Sequence, residues 1–123
     1  MMSLTARQLL DLLSFPVTMA VGQILFKRAA LQITPGTGGS WLLEVARLPT
    51  MWAAVALYAG ATLLWVRILT SVPLSRAYPF AALAFVLVPA AGYLFFQEQI
   101  TIRYAVGVTF IVIGVVIAAG AAA

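Results

Sequence analysis

Long apolar stretches dominate this chain. They run from about Leu9 to Leu31, from Met51 to Ser71, from Ala77 to Gln97 and from Thr101 to Ala121. A helix rises about 1.5 Å per residue, so about 20 apolar residues cross the roughly 30 Å hydrocarbon core of a bilayer. We therefore predict an all-α integral membrane protein, a four-transmembrane-helix bundle in which residues 1–123 form one membrane domain.

Charged residues are too few for a soluble protein. They make up 8% of the chain against 64% hydrophobic residues, whereas a soluble domain is about one quarter charged. The chain has no Cys and no His, which excludes disulfides, thiolate or imidazole metal sites and most catalytic nucleophiles. We therefore expect no enzyme, no metal and no cofactor. The basic residues are scattered singly, which favours contact with anionic membrane lipids or phosphate rather than nucleic acid.

Proline, glycine and polar residues separate the apolar stretches. The breaks lie at Pro35, Gly36, Gly38 and Gly39, at Pro73, and at Glu98 with Gln99. The last two connections are short, so the second, third and fourth spans should be antiparallel neighbours. Residues 40–48 have one apolar face and suit an interfacial helix, with Pro49 and Thr50 predicting a break and a new N-cap. An early start of the second span is the alternative.

The basic residues near the span ends give almost no orientation bias. A single chain with near-balanced ends is typical of insertion in both orientations, or of pairing with an oppositely oriented partner. One side collects Arg7, Arg67 and Arg76, and the other collects Lys27, Arg28, Arg47 and Arg103.

Lys27 and Gln23 are four residues apart and share a face of the first helix. An unpaired charge at mid-bilayer costs about 2.5 to 3.5 kcal/mol, so a cationic group in a span is a functional candidate. Lys27 either lines a cavity or extends to the lipid headgroups, and for Arg28 we favour the headgroups. Gly22 should let another backbone approach closely.

Three further polar sites lie near span ends. Ser75, Arg76 and Tyr78 open the third helix, where free N–H groups favour an anion; a solvated cap with an interfacial tyrosine is the alternative. Arg67 either extends to the interface or grips a phosphate. Glu98 is expected to pair locally with Arg103, and Asp11 to lie at the interface.

Gly107 and Gly114 are two turns apart on one face of the fourth helix. Small residues let membrane helices approach closely, so we predict a packing seam between subunits. No acidic residue lies in the middle third of any span, which argues against the hypothesis of a proton-coupled exporter of cations.

Several strings in this chain resemble one transporter family. They are Gly-Gln-Ile-Leu-Phe-Lys from Gly22 to Lys27, Val-Pro-Leu-Ser-Arg-Ala-Tyr-Pro from Val72 to Pro79, and Phe-Phe-Gln-Glu-Gln-Ile from Phe95 to Ile100. With the glycine pair, they resemble the small four-helix branch of the drug/metabolite transporter superfamily over essentially the whole chain. The chain is most similar to subunits of the flippase that carries aminoarabinose-phosphoundecaprenol across the bacterial inner membrane.

Small multidrug resistance proteins of the same superfamily differ at one decisive position. The resemblance puts their essential glutamate three residues before Gly22, where this chain has Met19. Their proton-coupled mechanism therefore does not transfer. Their glycine motif implies a dimer here, either an antiparallel homodimer or a heterodimer with a related small subunit.

The resemblance implies a flippase for a polyprenyl-phosphate-linked sugar. Lys27 and Arg76 are then expected to contact phosphate, Gln23 and Tyr78 to hydrogen-bond the sugar or headgroup, and Glu98 to bind an amino group or to position the basic residues. A small-multidrug-resistance-like exporter of small cations or metabolites is the alternative, and a non-transporting accessory subunit is a second one.

Overall fold

The computed structural model describes residues 3–34, 36 and 40–121. Within these residues the chain forms helices and no β-strand. Four segments are long and apolar enough to cross a membrane, Ala6–Leu31, Pro49–Leu69, Leu74–Phe96 and Ile102–Ala121, which confirms the predicted all-α membrane fold. The helices are α1 Ala6–Leu31, α2 Trp41–Arg47, α3 Pro49–Leu69, α4 Leu74–Ala81, α5 Ala84–Phe96 and α6 Ile102–Ala121.

A capping box starts α1 earlier than the hydropathy pattern indicates. The backbone N–H of Gln8 donates to Thr5 Oγ1 at 3.2 Å, and the Thr5 N–H donates to Gln8 Oε1 at 2.9 Å. These bonds satisfy N–H groups that a helix start leaves free, so α1 begins at Ala6 rather than Leu9.

A short helix precedes the second span. Leu48 has extended backbone angles, φ −82° and ψ 119°, and separates α2 from α3. The predicted N-cap at Thr50 is wrong, because α3 begins at Pro49 with Leu48 as its cap. Proline tolerates the first helical position, where its missing N–H would have no partner. Most of the predicted break at Pro35, Gly38 and Gly39 lies outside the described residues.

The third span consists of two helices, which the hydropathy pattern does not indicate. Between Pro79 and Pro89 the backbone tightens, with the Leu83 N–H donating to the Phe80 carbonyl at 3.1 Å and the Phe85 N–H to the Ala82 carbonyl at 2.9 Å. These bonds join residues three apart, the pattern of a 3₁₀ turn. The two prolines remove helix donors on either side of this turn.

Helix α1 lies at the centre of the bundle and packs along α3 and against α4 and α5. The buried core lies near its N-terminal end, where Leu12 meets Ile68, Val72 and Ala77. The main packing partners of helix α6 are α4 and α5, and none of its described residues is buried. The bundle therefore leaves one face of α6 open.

Candidate functional site

An ion pair joins the first and third spans at one end of the bundle. Lys27 Nζ lies 3.5 Å from Glu98 Oε1, and both side chains are about half-exposed, at 45% and 50%. The predicted partner of Glu98, Arg103, is wrong: in the described part of the chain the ion pair of Glu98 is with Lys27. We call this region, defined by Lys27 and Glu98, the Lys27 end.

The backbone at the end of α5 explains why Glu98 turns toward α1. Gln97 is left-handed, with φ 54°, and the Glu98 N–H donates to the Gly92 carbonyl at 3.2 Å. The chain thus folds back over α5, and a Cβ atom on Gly92 would lie 2.6 Å from Glu98 Oε2. Glycine at position 92 leaves room for the carboxylate to reach Lys27.

Tyr58 of α3 completes this end of the site. Gln23 Nε2 donates to Tyr58 Oη at 2.5 Å, and the Tyr58 ring packs at 5.0 Å from the Phe26 ring centroid. The close neighbour at Gly22 is the Tyr58 ring; an added Cβ would overlap Cε2 and lie 2.7 Å from Cδ2. The absence of a side chain at Gly22 was the sequence signal for a close neighbour, but not for its identity.

The Lys27 end has a cavity of about 180 Å³. Its polar wall consists of Gln23, Lys27 and Glu98, and Gly92 contributes backbone. The remaining wall is apolar, with Ile24, Val88, Ala91 and Phe96. A cation, an anion and an amide thus meet in an apolar surrounding, an arrangement suited to a small group that carries both charges.

Two further cavities adjoin this one along the bundle. A cavity of about 380 Å³ shares Gln23 and Val88 with the first and is bounded by Phe85 and Tyr104. A third, of about 360 Å³, shares Phe85 with the second. We call these three adjoining cavities the groove. It leads from the Lys27 end toward the opposite end of α1.

Aromatic side chains line the far part of the groove. The Phe15 and Trp65 ring centroids are 4.7 Å apart, and Trp65 and Tyr78 meet edge-on at 6.0 Å. Tyr78 and Met19 also line this third cavity. Met19 therefore presents a thioether to the groove.

Arg76 lies at the other end of the third span from Glu98. It is in the first turn of α4, so roughly 30 Å of helix separates it from Glu98 at about 1.5 Å per residue. It makes no ion pair with any described residue. Lys27 and Arg76 therefore cannot hold the same phosphate at the same time.

A second ion pair, which sequence reasoning missed, links α1 to α3. Arg67 Nη2 lies 3.3 Å from Asp11 Oδ2, and the Asp11 side chain is only 19% exposed. The sequence predicts that Arg67 either extends to the interface or binds a phosphate, and neither prediction includes Asp11. The two residues lie on different helices, so their spacing along the chain does not indicate the pair. Gln8 Nε2 donates to the Ser71 carbonyl nearby, at 3.4 Å. We call the region defined by Asp11 and Arg67 the Arg67 end.

The two glycines of α6 have open space beside them. A Cβ added to Gly107 or Gly114 would meet no atom of another described element within 4 Å. Gly114 also lines a cavity of about 420 Å³ with Ser75 and Tyr78, between α4 and α6. Their role in packing between subunits stays a prediction.

Together, the four spans, the charges at their ends and the groove between them define a small multi-pass membrane transporter subunit. Comparison with known proteins agrees. The chain is 35% identical over 111 residues to the "Probable 4-amino-4-deoxy-L-arabinose-phosphoundecaprenol flippase subunit ArnE" of Yersinia pseudotuberculosis serotype O:1b, covering 86% of this chain and 90% of that protein.

Proteins of the same name in two other bacteria are also similar. The one from Aeromonas hydrophila is 35% identical over 99 residues, 80% of this chain and 85% of that protein. The one from Hamiltonella defensa is 34% identical over 80 residues, 63% of this chain and 72% of that protein. No protein-family model and no solved structure matches the chain. The chain belongs to the ArnE family of flippase subunits, which confirms the resemblance drawn from its motifs.

Proposed function

We propose that this chain is a subunit of a flippase that moves a polyprenyl-phosphate-linked aminosugar, such as aminoarabinose-phosphoundecaprenol, across the bacterial inner membrane. The observation that carries this proposal is the Lys27–Glu98 pair beside Gln23 in an apolar cavity. The names of the relatives support the same substrate class.

The chemistry of the substrate matches this arrangement. A polyprenyl tail stays in the lipid during transfer, so only the phosphate and the sugar need a polar path. Lys27 offers a cation for the phosphate, and Glu98 offers an anion for the sugar's ammonium group. Gln23 and Tyr58 provide an amide and a hydroxyl for the sugar hydroxyl groups.

The ion pair also gives each of the two charges a partner when no substrate is bound. Unpaired charges beside an apolar wall are unfavourable, and pairing reduces that cost. A headgroup that carries both a phosphate and an ammonium can replace the pair one charge at a time. The substrate phosphate replaces Glu98 as the partner of Lys27, and the substrate ammonium replaces Lys27 as the partner of Glu98. Each charge therefore keeps a partner throughout.

Arg76 binds the substrate phosphate at the opposite leaflet in this proposal. It opens α4, where the first N–H groups and the positive end of the helix favour an anion. Tyr78, two residues on, lines the aromatic part of the groove and hydrogen-bonds the headgroup during passage. The proposal thus gives the phosphate a cationic partner at both ends of the bundle.

A second subunit covers the groove in this proposal. The relatives are named as subunits, and Gly107 and Gly114 of α6 both have open space beside them. Close packing of small residues between membrane helices would join this chain to a second copy or to a related small subunit.

The test is leaflet-resolved flipping of the aminosugar lipid in vesicles, with the purified chain alone and with candidate partner subunits. Lys27→Met removes the charge at nearly constant length, and Arg28→Met is the matched control, since Arg28 lines none of the three cavities. We expect Lys27→Met to lose flipping and Arg28→Met to keep it. Full flipping by Lys27→Met, with normal insertion, would overturn the proposal.

The alternative of a proton-coupled cation exporter would depend on Glu98. It is the only carboxylate among the described residues that line the groove. A proton-driven cation signal in vesicles that is lost in Glu98→Gln would favour the exporter over the flippase.

A further inference from the structure

We propose that the Arg67 end is a second binding site for the same headgroup, with Arg67 for the phosphate and Asp11 for the amino group. This inference rests on the proposed function and adds a site to it. The site combines the Asp11–Arg67 pair with the aromatic cavity lined by Phe15, Trp65 and Tyr78.

The two ends of the bundle have the same chemical pattern. At each end, one charge on α1 meets an opposite charge from another span: Lys27 with Glu98 at 3.5 Å, and Asp11 with Arg67 at 3.3 Å. Both cations lie within the last two turns of their helices, α1 and α3, where the helix dipole stabilises positive charge. Each end therefore offers a cation and an anion that one zwitterionic headgroup could replace.

A cavity lies close to the Arg67 end along α1 and α3, and its wall includes Phe15 and Trp65 but neither Asp11 nor Arg67. Phe15 is one helical turn after Asp11, and Trp65 lies two residues before Arg67. These two rings stack at 4.7 Å and line a cavity of about 360 Å³. Aromatic rings suit the apolar faces of a sugar ring, and a headgroup held there would extend its charged groups along α1 and α3 to the Asp11–Arg67 pair.

The groove links the two ends over a distance suited to a membrane. Asp11 and Lys27 are both on α1, about 24 Å apart at about 1.5 Å per residue. This is slightly less than the roughly 30 Å of hydrocarbon, so each pair lies near one boundary. A headgroup that leaves one site then reaches a second site that also has one cation and one anion. The headgroup is therefore not bound much more tightly at one leaflet than at the other.

Trp65 provides a reporter for this site alone. The other two tryptophans, Trp41 and Trp52, are 51% and 59% exposed and line none of the three cavities of the groove. In a chain with Trp41→Phe and Trp52→Phe, fluorescence reports on Trp65 only. The probe is undecaprenyl phosphate, titrated into the full chain in phosphatidylcholine nanodiscs, with inorganic phosphate and phosphatidylglycerol as separate arms.

We expect undecaprenyl phosphate to shift Trp65 emission in the parent and in Lys27→Met, and to bind at least about tenfold more weakly in Arg67→Gln. Arg67→Lys, which keeps the charge, should retain most of the binding. The exchanged pair Asp11→Arg with Arg67→Asp keeps an ion pair for folding and moves the cation to α1, so we expect it not to restore the parent's affinity.

Several results would overturn the second site. One is loss of the Trp65 response in Lys27→Met with retention in Arg67→Gln, and another is equal affinity of the parent and Arg67→Gln. A third is full recovery of affinity in the exchanged pair, which would assign a purely structural role to the Asp11–Arg67 ion pair. An equal response to phosphatidylglycerol or to inorganic phosphate would also overturn it, because the site would then not select the polyprenyl lipid.

Flipping measurements separate this proposal from the previous one. If vesicles flip the aminosugar lipid and Arg67→Gln neither slows flipping nor weakens binding, the second site fails and the proposed function stands. If no variant or subunit combination flips the lipid while Arg67-dependent binding persists, the proposed function fails and the site remains as a lipid-binding site.

Discussion

The ammonium of Lys27 and the carboxylate of Glu98 lie 3.5 Å apart, although one belongs to the first span and the other follows the third. Both side chains are about half-exposed, and such pairs contribute only about 0 to 1 kcal/mol to stability. The pair is therefore of little value for folding. Its position on the wall of a cavity with Gln23 favours a role in binding.

Glu98→Gln should reduce selectivity for the amino group. The amide keeps the shape of the side chain but cannot pair with an ammonium ion, whereas the phosphate contact to Lys27 remains. We expect this variant to lose much of the parent's preference for the aminosugar lipid over undecaprenyl phosphate without the sugar, while the contacts of Gln23 and Tyr58 to the sugar remain. Binding of both lipids to parent and variant in nanodiscs checks this, and an unchanged preference for the aminosugar lipid would contradict it.

Gly92→Ala should displace the Glu98 carboxylate without unfolding the protein. A Cβ at position 92 would lie 2.6 Å from Oε2, but that oxygen is the end of a flexible side chain and can move. We expect reduced flipping with a change in unfolding free energy within about 1 kcal/mol, the scale of helix propensity differences. Gly60→Ala is the control, since its Cβ would meet no atom of another described element within 4 Å. Equal flipping by the two variants would refute the argument.

Gly22→Ala should destabilise the contact between α1 and α3. Its methyl group would overlap the Tyr58 ring, which packs between Gly22 and Phe26 and cannot move as a flexible chain end does. Overpacking of this kind costs about 1 to 3 kcal/mol. Thermal unfolding in detergent measures the loss, and removing the ring in the double variant Gly22→Ala with Tyr58→Ala should relieve the overlap. A fully stable single variant would be the contrary result.

Gly107→Leu and Gly114→Leu should weaken association between subunits while leaving each chain folded. Neither position has an atom of another described element within 4 Å of an added Cβ, so a side chain can start there without a clash in the single chain. We expect cross-linking or energy transfer between labelled chains in vesicles to fall. Gly120→Leu is the matched control on the same helix, because it also has open space but lies on a different face. Equal loss of association in Gly120→Leu would disprove a specific seam.

Local features of the sequence predicted much of the fold. The four apolar stretches gave the membrane class, since burying about 20 residues in hydrocarbon needs no knowledge of their neighbours. The four-residue spacing of Gln23 and Lys27 predicted their common face, and both line the same cavity. The motifs from Gly22 to Lys27 and from Val72 to Pro79 indicated the family.

The partners of the charged groups did not follow from local spacing. Glu98 was expected to pair forward with Arg103, but the left-handed Gln97 directs it back over Gly92 to Lys27. The local pattern also did not indicate the turn between α4 and α5, because two prolines permit a kink without fixing where the helix tightens.

Chain composition thus established that this protein lies in a membrane, how many times it crosses, and which polar residues are exceptional there. The contacts that make a site, Lys27 with Glu98, Gln23 with Tyr58 and Asp11 with Arg67, depended on how the helices rotate and cross. The physical reason is that these spans are apolar on nearly every side. Hydrophobicity fixes their depth in the bilayer, but side-chain packing between helices fixes their rotation and hence which polar groups meet.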